Sequence, residues 1–194
     1  MSLKERIYSV LVVSSTEGFN NALRELLPES KYSPTRFVAS VSAAKRELAE
    51  RDFDFVIINS PLPDDVGIRF AIDTVGTRKS VVLFAVKSET LDEVYDRTAE
   101  HGVFLLPKPT SKPMIAAALN WMSSARELIR STEKKTLSIE EKMEEIRIVN
   151  RAKWLLISEL KLDESEAHRY IEKQAMDRCV SKKTVAKEII KTYS

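Results

Sequence analysis

No proline follows Pro113, and no glycine follows Gly102, in a chain of 194 residues. From Ala116 to Ser194 nothing breaks a helix, and Glu, Lys, Leu, Ile and Ala are plentiful. Such a stretch reads as mostly helical. The shift in composition near residue 114 marks a change of architecture.

The part before it alternates. Residues 8–13, 36–41, 54–58, 80–84 and 103–106 are short apolar or β-branched runs and predict strands. Residues 17–27, 42–51, 66–75 and 89–100 are amphipathic and predict helices. Five strands alternating with helices imply an α/β domain, a parallel sheet covered on both faces. At this size the flavodoxin-like order is expected, with ligands at the carboxyl ends of the strands.

Composition excludes several classes. About 43% of the residues are apolar, enough for a packed core. There are 31 basic residues against 29 acidic, so any case for nucleic-acid binding must be local. Cys179 stands alone, which excludes an intramolecular disulfide and a multi-cysteine metal site. No apolar run reaches the roughly 18 residues that span a bilayer, and residues 1–6 lack the apolar segment of a secretion signal. A cytoplasmic protein with no membrane partner is expected. With only His101 and His168, and no nucleophile–base set, no catalytic residue, cofactor or metal site is expected, and the chain does not read as an enzyme.

The segment Phe55-Val56-Ile57-Ile58-Asn59, followed by Pro63 and Gly67, resembles the third strand and following loop of a two-component receiver domain. Lys108-Pro109 after the fifth strand matches as well, and the resemblance covers roughly residues 6–125. It implies a CheY-like fold and a cis bond before Pro109. It also places Asn59 where the family has its phosphorylated aspartate, Ser14 and Ser15 at the acidic pair, and Ala85 at the Ser/Thr position. Of the family's chemistry only Lys108 is retained. An amide is a poor nucleophile and carries no charge for Mg²⁺, so the receiver is expected to be non-phosphorylatable, a pseudo-receiver answering to a protein or small-molecule regulator. Phe104 could stand in for the family's switch aromatic. Asp64 and Asp65 read as helix caps.

Helical spacing runs from about Met114 to Lys161, with a break near Ser131-Thr132. Ile115, Leu119, Met122 and Ala125 suit packing on the sheet. Leu137, Ile139, Met143, Ile146 and Val149 or Asn150 approximate a seam flanked by charges, which fits a coiled-coil linker helix over 126–149 and a homodimer. Asp163 and Glu166 form a capping box. Ala167, Tyr170, Ile171 and Ala175 make the next stripe, with Tyr170 expected in the core. Val185, Ala186, Ile189 and Ile190 make the last. Three such helices bury their faces only together, as a small all-α three-helix bundle.

Arg151-Ala152-Lys153-Trp154-Leu155-Leu156, then Glu166-Ala167, Gln174-Ala175-Met176 and Val185-Ala186, resemble the ANTAR domain. The match covers about residues 138–191, within a three-helix unit at 138–194 that overlaps the linker. Trp154 departs from it, standing at the family's glycine, where it fills a gap or crowds a close approach. The resemblance implies a response regulator of transcription antitermination that binds RNA stem-loops of a leader transcript as a dimer. From Arg147 on, eleven Lys/Arg face seven Asp/Glu, an excess of four. Arg151, Lys153, Arg169, Lys173, Arg178 and Lys182 are the expected RNA-binding residues. Trp154, His168 and Tyr170 are the possible stacking groups. The alternative is a protein-interaction adaptor of a signalling pathway without nucleic-acid binding. A helix-turn-helix DNA reader is disfavoured, because the turn at 177–180 has no glycine.

Overall fold

The computed structural model describes residues 6–193; the first five residues, read above for a secretion signal, lie outside that range. The chain divides into two compact units between Arg130 and Ser131.

The first unit holds a five-stranded parallel sheet in the order β2-β1-β3-β4-β5. The strands are β1 (Tyr8–Val13), β2 (Tyr32–Val38), β3 (Phe55–Asn59), β4 (Val81–Lys87) and β5 (Phe104–Lys108). Between them lie α1 (Glu17–Leu26), α2 (Val41–Glu50), α3 (Ile68–Gly76) and α4 (Leu91–Thr98). All five residues of β3 are buried, as are six of the seven in β4, which suits central parallel strands covered on both faces. One face carries Tyr8, Val10, Val12, Phe55, Ile57 and Leu83. The other carries Leu11, Val13, Val56, Ile58, Val82 and Phe84.

The second strand and helix differ from their expected bounds. β2 begins at Tyr32 despite Pro34, because it is an edge strand, where a missing N–H is tolerated. It stops at Val38 because Ser40 caps α2: its hydroxyl accepts the N–H of Ala43 at 3.2 Å, and Val41 becomes the first helical residue.

The helix α5 (Lys112–Leu160) contributes to both units and runs 49 residues without the break expected at Ser131-Thr132. No glycine or proline interrupts it, and Thr136 turns its hydroxyl back to the carbonyl of Thr132 at 3.0 Å instead of capping a new helix. Early in α5, Ile115, Leu119 and Met122 are buried against the sheet, each contributing about 1.5–3 kcal/mol. Arg126 and Arg130 then reach Asp54, just ahead of β3, at 2.9 and 2.6 Å. Burial pushes the Asp54 carboxyl up. The Arg126 hydrogen bond, the Ser9 N–H and the two guanidinium charges outweigh that and hold it below the usual carboxylate range.

In the second unit the last part of α5 joins α6 (Glu164–Asp177) and α7 (Lys182–Tyr193). Ala152, Leu156, Ala167, Ile171, Ala175, Val185, Ala186 and Ile189 form its core. The capping box is present: Asp163 accepts from Glu166 N at 2.8 Å and Glu166 accepts from Asp163 N at 2.9 Å. Tyr170 corrects its expected place. It is 42% exposed, since three small or β-branched neighbours, Ala167, Ile171 and Ala175, already fill the buried stripe of α6.

Candidate nucleic-acid interface and receiver-type pocket

The carboxyl ends of the strands bring Ser14, Asn59, Ala85 and Lys108 to one edge of the first unit. Asn59 ends β3 and stands in register with Ala85. Both Asn59 and Ser14 are only 3% exposed, while Ser15 points outward. The polar atoms satisfy one another. Lys108 Nζ donates to Asn59 Oδ1 at 2.7 Å and to the Ser60 carbonyl. Asn59 Nδ2 donates to Ser14 Oγ at 3.0 Å, and that oxygen also accepts the N–H of Thr16 at 3.2 Å. Burial, and then the charge of Lys87, hold Lys108 below the usual lysine range. Lys108-Pro109 is cis, and Phe104 is half-buried against the sheet core.

The two aspartates after β3 do not ligate into this pocket. Asp64 caps α2, a helix distant in sequence, accepting from the N–H groups of Val41 and Ser42 at 2.9 Å each. Asp65 accepts the N–H of Gly67 at 2.6 Å. Gly67 has φ +92°, and a Cβ there would meet Phe84 at 3.2 Å and Ile58 at 3.3 Å, so the turn requires glycine. Beside this edge lies a cleft of 460 Å³ lined by Ser60, Val66, Arg69, Val94 and Arg97 among others. No sequence pattern pointed to it, because its walls come from separate segments.

In the second unit the six expected RNA-binding residues fall into two groups. Lys153 pairs with Glu164 at 3.1 Å. Arg178 makes a bidentate pair with Glu188 at 2.5 and 2.9 Å, and Lys182 pairs with Glu172. Arg151, Arg169 and Lys173 are exposed and enter no ion pair among the described residues. Arg147, on α5 beside the apolar seam, shares that state. Of the possible stacking groups, His168 lies 3.2 Å from Glu172, and Trp154 is 71% exposed, so it fills no gap. Ile139, Met143 and Ile146 on α5 are all more than half exposed.

The sheet order and strand-edge pocket define a receiver-fold domain. Its fold is similar to the receiver domain of an HD-domain protein from Pseudomonas fluorescens Pf-5, with a TM-score of 0.57 and 20% identity over 68% of this chain and 96% of that one. It is also similar to the non-phosphorylated HemR receiver domain of Leptospira biflexa, with a TM-score of 0.52 and 26% identity over 59% and 93%. Residues 138–190 match the ANTAR domain family. Across both units the chain is similar to the transcriptional regulatory protein PdtaR of Mycobacterium tuberculosis, 29% identical over 187 residues, covering 94% of this chain and 89% of the relative. An ANTAR-domain match behind a receiver-fold unit is the arrangement of an ANTAR response regulator, a class of transcriptional regulator that the chain resembles.

Proposed function

We propose that this protein is an RNA-binding antitermination regulator. It acts as a homodimer in the cytoplasm and binds stem-loops in a nascent leader transcript, so that a terminator hairpin does not form. The observation that carries this reading is the ANTAR match over 138–190, on a bundle whose Arg151, Arg169 and Lys173 are exposed and enter no ion pair among the described residues. Phosphates along an RNA backbone suit such charges, and loop bases supply sequence. The functional parts are a receiver-like unit over 1–125, a coiled-coil linker over 126–149 and the ANTAR bundle over 138–194. Exposed Ile139, Met143 and Ile146 support the linker as the dimer seam.

The receiver unit is read as non-phosphorylatable. An amide stands at the acceptor position, among the described residues no carboxylate joins the Ser14–Asn59–Lys108 network, and Asp64 and Asp65 are committed to backbone N–H groups. Its regulator is then a protein or a small molecule. The 460 Å³ cleft beside Ser60 supports that, and it is also what favours the adaptor reading.

The test is binding of a tandem stem-loop RNA over a range of salt, against scrambled RNA and duplex DNA. Preference for the stem-loops is expected. Equal affinity for all three would leave only generic electrostatics, and no hairpin binding near physiological salt would favour the adaptor.

A further inference from the structure

Trp154 is the most exposed aromatic side chain among the described residues. A single open apolar residue is ordinary on a protein surface, so the indole alone says little. Its surroundings say more. It borders a shallow pocket of 190 Å³ with Asn150, Lys153, Ile157 and Glu164. The indole and Ile157 give flat and apolar walls. The rest of the lining is one amide and the Lys153–Glu164 pair, joined at 3.1 Å.

Arg151 lies three residues before Trp154, and Arg147 four before that, so all three share one side of α5. Both arginines are exposed, and neither enters an ion pair among the described residues. Two turns of helix therefore present an aromatic face, an amide edge and two free guanidinium groups. A protein surface covering them would have to desolvate the charges. An unpaired nucleotide meets all of them: its base offers a π-face to the indole and donors and acceptors to Asn150 and Glu164, and its flanking phosphates suit the arginines. Bases held in a duplex offer no such face.

We propose that Trp154 is the platform on which one unpaired RNA base stacks, with Asn150 and the Lys153–Glu164 pair at the base edge and Arg147 and Arg151 on the adjoining phosphates. The proposal rests on the RNA-binding reading above and names how one base is held.

The experiment uses the full chain carrying Trp121→Phe, so that Trp154 is the sole tryptophan. The probe is a fluorescein-labelled tandem stem-loop RNA with unpaired loops, followed by anisotropy and by quenching of indole emission. Saturable quenching is expected. Trp154→Ala weakens binding roughly 5- to 150-fold and leaves the salt slope unchanged, since no phosphate contact is lost. Arg151→Ala lowers the slope. Trp154→Phe keeps a ring and retains most of the affinity, which separates stacking from a folding defect. If Trp154→Ala binds as tightly as its parent, the stacking role is overturned while the RNA-binding reading stands. If the parent binds no hairpin, both fail. If Trp154→Ala turns dimers into monomers, the indole belongs to the interface between copies and the proposal is overturned.

Discussion

The strand-edge pocket of the first unit and the outer surface of the second spend their polar groups in opposite ways. In the pocket, Lys108, Asn59 and Ser14 are donors and acceptors to one another, and the two nearby aspartates hold backbone N–H groups. On the bundle, Arg147, Arg151, Arg169 and Lys173 are left open beside neighbours that are paired. A buried polar group without a partner is costly, so a pocket built from Ser14, Asn59 and Lys108 is best satisfied as a closed network. Exposed cations carry no such cost and stay available. The same contrast runs along α5. Ile115, Leu119 and Met122 are covered by the sheet, whereas Met143 and Ile146 are more than half exposed.

The contrast along α5 can be broken most sharply. Met143→Glu combined with Ile146→Glu is expected to abolish the proposed dimer, because unpaired carboxylates in an apolar seam are strongly disfavoured. Sedimentation should show monomers with unchanged helical content. A persisting dimer would place the interface elsewhere.

The closed pocket is tested next. Lys108→Met leaves Asn59 Oδ1 and the Ser60 carbonyl without their donor, and a loss of about 1–3 kcal/mol is expected in denaturant melts. The unaltered protein should form no acid-labile adduct with acetyl phosphate. Finding one on residues 6–125 would mean the pocket is not chemically closed.

The anchor between β3 and α5 gives a pH signature. Asp54 has a depressed folded pKa, so its stabilising contribution is complete above the unfolded value, near 3.8, and is lost as pH falls through the lower folded value. Asp54→Asn should lower stability at neutral pH and flatten the acid limb of a stability–pH curve. A parallel downward shift at every pH would show that the carboxylate's charge is not what matters.

The smallest effects sharpen the contrast between open and paired cations. Arg169→Ala or Lys173→Ala should each reduce the salt slope of RNA binding by roughly 0.7–0.9. Arg178→Ala and Lys182→Ala should reduce it less, because Glu188 and Glu172 already hold those groups. Equal changes at all four would mean that RNA pulls the pairs apart.

Much of the architecture was legible because periodicity reports which face of an element is covered. The absence of glycine and proline after Pro113 gave the helical part, and alternating short apolar runs gave the parallel sheet. Asn59, with Pro63, Gly67 and Lys108, located the strand-edge pocket, and Asp163 and Glu166 marked the start of α6. Misplaced bounds came where a local device outranked the pattern: Ser40 capping α2, and Thr136 bonding back to Thr132 where a break was expected. Tyr170 went outward because its stripe was already full.

The fold class and the amide of Asn59 at the end of β3 follow from the order and identity of residues, since strand and helix patterns and the chemistry of one side chain are local properties. Which cations stay free does not. Arg178 meets Glu188 and Lys182 meets Glu172 across helices, Asp64 caps a helix more than twenty residues before it, and Arg126 and Arg130 converge on Asp54. Those partners are distant in the chain and meet only once the elements pack, so the set of open cations is what remains after tertiary pairing has claimed its share of the charges.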